Sequence, residues 1–172
     1  MDERELEIRN LKILLDESIP YDERLDAYDF LYQGCEDIVD DMLEEYRKLE
    51  KNDTSKMLIE ILANYPGRDE IYLALVSWLY TGQDVALFAR LIGKYGDKRG
   101  IEVLRGFLKE YEPVYIEYAE IQTAIEILGG EWTDEITDLE HDELYKLSRG
   151  SIEEDEDMNA IIIQSLRKPP EK

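Results

Sequence analysis

The chain has 172 residues, enough to bury one sizeable core, so a single domain is the default expectation. Acidic residues outnumber basic ones 42 to 20, and the resulting net charge of −22 disfavours nucleic acid and anionic membrane surfaces as partners while favouring cationic ones. A hydrophobic content of 44% excludes wholesale disorder, and the lone Cys35 excludes an intramolecular disulfide.

The opening stretch Met1-Asp-Glu-Arg-Glu-Leu-Glu-Ile8 has neither the basic start nor the apolar run of a signal peptide. No apolar run approaches the roughly 20 residues needed to span a bilayer. A soluble cytoplasmic protein is expected. Apolar spacing predicts a first helix over 3–17, ended by Ser18-Ile-Pro20, and a second near 21–33 that offers Leu25, Tyr28, Phe30, Leu31 and Tyr32 for packing. Gly34 breaks the pattern. It restarts over 37–50, where Ile38, Val39, Met42, Leu43, Tyr46 and Leu49 keep a 3–4 spacing. Asp53 or Thr54 is the expected N-cap of a helix over 55–65. Pro66-Gly67 then turns the chain into a helix over 68–81. That segment is apolar on nearly all sides, so it is expected in the middle of the structure.

Gly82 ends this helix and Asp84 is placed to cap the next. The stretch Leu91-Ile-Gly-Lys-Tyr-Gly-Asp-Lys-Arg-Gly-Ile-Glu-Val-Leu104 reads as one helix ending, a tight turn and another helix starting. Gly96 is expected to take the left-handed C-terminal position, Asp97 to cap the following helix, and Gly93 to allow close helix packing. Glu112-Pro113 leads to a helix near 114–128, Gly129-Gly130 closes it, and a more polar helical segment is predicted over 133–147. No segment alternates with period two for five or more residues. The expected fold is therefore all-α, with a repeat domain over 1–149. It comprises a cap helix over 3–17, hairpins near 21–50, 55–81, 84–111 and 114–147, and then an acidic connector, short helix and tail over 150–172.

The turn glycines Gly34, Gly67, Gly96 and Gly129 recur at spacings of 33, 29 and 33, the period of helix-turn-helix repeats stacked as an α-solenoid. Ile92, Gly93, Tyr95, Gly96, Asp97, Ile101 and Leu104 occupy a pattern that resembles the HEAT-like repeat, closest to the short bacterial phycobilisome-lyase-type version. The stretch from Ala124 to Gly129 looks like a second copy with Gly130 in place of Asp. Tyr65-Pro-Gly-Arg-Asp69 is a weaker one, and Gly34 marks a copy by spacing alone. The resemblance covers roughly residues 21–149. It implies an α-α superhelix that serves as a curved scaffold for protein–protein contact, and it brings no catalytic set.

The residues themselves offer little chemistry. His141 is the only histidine. No HExxH, phosphate-binding loop, GxSxG, dinucleotide fingerprint or CxxC occurs, so no metal, cofactor or catalytic residue is expected. Carboxylate pairs such as Asp40-Asp41 and the run 153–157 abound in so acidic a chain and single out no hydrolase site. Charge distribution says more. Residues 1–50 hold 17 acids and 6 bases (−11), and residues 110–157 hold 17 and 2 (−15). Residues 84–109 hold 3 acids and 6 bases, a net +3. Arg90, Lys94, Lys98, Arg99 and Arg105 in that basic segment, with Tyr111, Tyr115 and Tyr118 beyond it, are the candidate partner-binding residues. The first two tyrosines are spaced one helical turn apart. The expected function is a non-catalytic protein–protein scaffold or adaptor with a curved acidic surface and a second protein, of basic character, as its partner. The alternatives are an acidic inhibitor or immunity-type protein that blocks a basic nucleic-acid-binding enzyme, and a lyase-like or carboxylate-dependent enzyme. The apolar segment 158–166 is expected to cap the last repeat, or to mediate self-association.

Overall fold

The computed structural model describes residues 2–132, Leu139 and 142–148. Among them it is entirely helical. The helices are α1 (Glu3–Leu15), α2 (Tyr21–Gln33), α3 (Val39–Tyr46), α4 (Asp53–Leu62), α5 (Asp69–Leu79), α6 (Val85–Tyr95), α7 (Gly100–Glu110), α8 (Tyr115–Ile127) and α9 (Glu143–Ser148). A single 3-10 turn, Glu36–Ile38, leads into α3. His141, the acidic run 153–157 and the apolar segment 158–166 lie outside the described residues, as do 133–138.

Local chemistry accounts for most helix ends. Asp2 accepts from the Glu5 amide at 2.7 Å while Glu5 takes the Asp2 amide at 3.3 Å, a capping box that starts α1. After α1, the Asp16 carboxylate accepts from both the amide and the hydroxyl of Ser18, so the chain turns two residues earlier than expected. The cap of α4 is Asn52, not Asp53 or Thr54. Its side chain takes the Ser55 amide at 2.9 Å, and the Ser55 hydroxyl accepts from the Asn52 amide at 2.9 Å. Asp84 does not cap α6 either. It sits at a left-handed φ of 50°, and its carboxylate reaches Lys56 at 3.0 Å. Gly96 has the expected left-handed φ of 82°, a conformation that a Cβ disfavours. Asp97 accepts from the Arg99 amide at 3.0 Å just ahead of α7.

One continuous core runs from α1 to α8. Helix α6 lies along α8, α5 along α6, α3 along α4, and α1 along α2. The α6–α8 seam brings the two backbones close: a Cβ on Gly93 would stand 2.9 Å from both Cα and Cβ of Ala124. Gly93 is thus the close-packing residue its pattern suggested. Helix α5 departs from expectation. Ile71, Tyr72, Leu75, Trp78 and Leu79 are buried, but Leu73 is 54% exposed and Tyr80 is half exposed, so one of its apolar rows faces solvent.

Polar bonds tie successive helix pairs together across similar sequence separations. The Tyr65 hydroxyl accepts from the Cys35 amide at 2.6 Å. The Tyr95 hydroxyl accepts from the Arg68 amide at 2.8 Å and donates to the Arg68 carbonyl at 2.7 Å. Trp78 Nε1 donates to the Tyr46 hydroxyl at 3.0 Å. Ion pairs Arg47–Glu70, Lys56–Asp84 and Arg99–Asp69 make the same kind of link. Most of these charged groups are exposed, so the pairs orient helices more than they stabilise them.

Candidate functional site

The structure disperses the residues that the sequence proposes as a contact surface. Tyr111 and Tyr115 do not share a helical turn, because α7 ends at Glu110 and α8 begins only at Tyr115. Tyr111 stacks on Phe107 at 4.6 Å between centroids and reaches Glu117 through its hydroxyl at 3.2 Å. Tyr115 leans on Tyr145 at 5.7 Å, and Tyr118 meets Trp132 edge-on at 5.2 Å. All three are partly buried, each in a different aromatic pair.

Most of the basic candidates are engaged. Arg90 lies 3.9 Å from Glu120. Lys94 donates to Asn64 Oδ1 at 2.6 Å and sits over the Tyr32 ring, 5.5 Å from its centroid. Arg99 pairs with Asp69 and Asp97 and covers the face of Tyr72 at 4.3 Å, and these carboxylates hold its charge above the ordinary guanidinium range. Arg105 donates to the Glu131 carbonyl at 2.7 Å. Lys98 is exposed. The net-basic segment therefore spends most of its charge on its neighbours.

The turns at Gly67 and Gly96 border a cleft of about 360 Å³, with Arg68 and Arg99 on its rim. Arg68 is bonded to Asp40, and Arg99 to its two carboxylates, so the rim is neutralised from within. A larger depression of about 650 Å³ follows one face of α1 and mixes Arg4, Arg9 and Lys12 with Asp2, Glu5 and Asp16. Neither gathers charge of one sign. Among the described residues, no three His, Cys, Asp or Glu side chains are grouped to hold a metal ion, and no helix is long and apolar enough to cross a membrane. Cys35 is fully buried, and burial pushes its thiol up, against a lowering bond from the Tyr65 hydroxyl. It behaves as a small core residue.

A different surface stands out between α2 and α4. Tyr21, Leu25, Tyr28 and Tyr32 follow one another at i, i+4, i+7 and i+11, forming one row along α2. Tyr21 is 61% exposed, Leu25 37% and Tyr32 40%, so Leu25 and Tyr32 do not pack into the core as expected. Tyr28 stacks on Tyr32 at 5.5 Å and donates to Glu60 Oε2 at 3.2 Å. Met57, Lys56 and Glu60 on α4 form the opposite wall of a groove of about 400 Å³. Burial raises the Glu60 carboxyl, against lowering from the Tyr28 bond and Lys56. Tyr28 is pushed well above the ordinary phenol value by burial and by Glu60. The Tyr28 phenol therefore stays protonated and keeps donating to Glu60. Sequence inspection missed this row although its spacing was visible. Helix α2 carries more than one apolar row, while only Ala27 and Leu31 are buried.

Compared with known proteins, the chain matches no family model, no curated protein and no solved structure.

Proposed function

We propose that this chain is a cytoplasmic, non-catalytic interaction scaffold: an α-solenoid of about four HEAT-like hairpins that presents an acidic surface to another protein. The exposed tyrosine row on α2, with the groove beside it, carries the proposal. Contiguous exposed aromatic surface on an otherwise charged protein marks a contact site, and tyrosine is enriched among residues that dominate binding energy. The polar groups around the groove already bond within the chain, Tyr28 to Glu60 and Lys56 to Asp84, which suits contact better than turnover. The repeat architecture draws support from the cross-links Cys35–Tyr65, Arg68–Tyr95 and Tyr46–Trp78, which join residues 30, 27 and 32 positions apart.

Affinity capture from extract of the source cell, at low and high salt, tests this function with the full chain and with Tyr21→Ala/Tyr32→Ala. A partner retained by the parent and lost by the variant is the expected result. A partner that the variant retains equally refutes the site, and no partner at either salt refutes the scaffold. Tight, salt-sensitive capture of a single basic nuclease selects the inhibitor alternative instead.

A further inference from the structure

We infer that the α2–α4 groove receives a basic amphipathic helix of the partner protein, an inference that rests on the scaffold function proposed above. The groove's apolar and aromatic lining is Tyr21, Leu25 and Tyr28 on one wall and Met57 on the other. Its borders are acidic. Helical geometry places Asp22, Asp26 and Asp29, all exposed, along the solvent side of the tyrosine row. Asp53 stands on the opposite wall, highly exposed.

The cations nearby offset only part of this field. Arg24 turns away from the row, donating to the Leu14 carbonyl at 3.0 Å and to the Thr54 hydroxyl at 2.5 Å. Lys56 is held by Asp84 at 3.0 Å and faces Asp53 at 3.6 Å. Lys94 closes the far end over Tyr32. An occupant complementary to this surface carries an apolar row flanked by lysines or arginines. A helix meets that description, since a groove between two helices accepts the ridge of a third. The 13 residues of α2 offer about 20 Å of seat, nearly four turns. A second copy of this chain fits poorly, because two bodies of charge −22 repel.

The test titrates the full chain with an 18-residue leucine–lysine peptide whose leucines follow i, i+3, i+4, i+7 spacing. Two comparison peptides accompany it: one with glutamate in place of every lysine, and one of the same composition with the leucines scattered off one face. The leucine–lysine helix is expected to bind the parent. Tyr21→Ala/Tyr32→Ala, and separately Asp22→Asn/Asp26→Asn/Asp29→Asn, each weaken it about tenfold or more. These side chains are exposed, so circular dichroism and melting temperature should stay near the parent's. Equal binding of the scattered or glutamate peptide, no binding of any peptide, or indifference to both variants overturns the inference. So does dimerisation of the parent that the tyrosine variant abolishes. If the peptide fails while capture from extract still depends on Tyr21 and Tyr32, the basic-helix inference falls and the scaffold function stands. If capture is indifferent as well, both fall.

Discussion

Replacing Gly93 by alanine sets two effects of known size against each other. In an exposed helix the change would gain about 1 kcal/mol, because glycine costs that much helix propensity. At position 93 the added Cβ would lie 2.9 Å from the Cα and Cβ of Ala124, and the Cα belongs to the α8 backbone, which no rotamer change can move. Relief requires α6 and α8 to part by roughly 0.7 Å to restore ordinary carbon–carbon contact near 3.6 Å. That loosens a seam in which Ile92, Ile121 and Ile125 are fully buried. Overpacking of this kind costs roughly 1–3 kcal/mol and sometimes more. Set against the propensity gain, the clash leaves Gly93→Ala destabilised by up to about 2 kcal/mol, lowering Tm by up to roughly 8 °C for a chain of this size. Gly106→Ala is the internal comparison: its Cβ would meet only the Tyr80 hydroxyl, at 3.5 Å, an ordinary contact. That variant should be as stable as the parent or slightly more stable. Urea denaturation followed by circular dichroism measures both. A Gly93→Ala protein no less stable than Gly106→Ala would refute the steric reasoning. Adding Ala124→Gly should recover part of the loss but not all, because the Ala124 Cα remains.

Tyr95→Phe removes a hydroxyl that both accepts from and donates to Arg68, and should cost about 1–2 kcal/mol in urea denaturation; unchanged stability would show that the turn does not need the bond. Glu7 is 5% exposed and its Oε2 has no hydrogen-bond partner, and burial, then Asp37 and Glu3, raise its carboxyl above 4.5. A carboxyl raised in the folded state favours its neutral form there. The cost of ionising it is therefore absent below the ordinary value and fully present above the raised one. Glu7→Gln should accordingly stabilise by a few tenths to about 1 kcal/mol at pH 7, with the gain vanishing near pH 4. A gain that persists at pH 4 would point to packing, not charge.

Helix existence was readable from apolar spacing, as in α7, where Leu104 and Phe107 mark the buried face. The turn at Gly96 and the close approach at Gly93 were readable too, since few residues satisfy either geometry. What escaped was the choice between competing rows. In α2 the row that meets the core is the small one, Ala27 and Leu31, while the aromatic row lies outside. In α5 Leu73 is exposed on the face it shares with Asp69, Glu70 and Ser77, although the segment reads as apolar on nearly all sides. Which row is covered depends on where the adjoining helices lie, and periodicity within one helix carries no such information. Caps were misplaced for a related reason. Asn52, Asp53 and Thr54 all favour a helix start, and the Asn52–Ser55 exchange, which satisfies two amides at once, decides among them. The helical spacing expected of Tyr111 and Tyr115 fails because the break at Pro113 leaves Tyr111 outside α8, while Tyr115 and Tyr118 on that helix meet different aromatic partners.

The two tyrosine hydroxyls also bear on how order spreads through the chain. Each closes a loop of about 30 residues, and loop-closure entropy rises only slowly with length, so the two closures cost nearly the same and neither waits for the chain ends to meet. Leu128 stands directly before Gly129 as Tyr95 stands directly before Gly96, yet it carries no hydroxyl, and its Cδ1 fills the space beside Gly100. The first two junctions are therefore pinned by a tyrosine hydroxyl on a backbone amide, and the third by the Arg105 guanidinium on the Glu131 carbonyl. The Cys35–Tyr65 bond ties the chain just past α2 to the chain just past α4, the two helices that wall the groove.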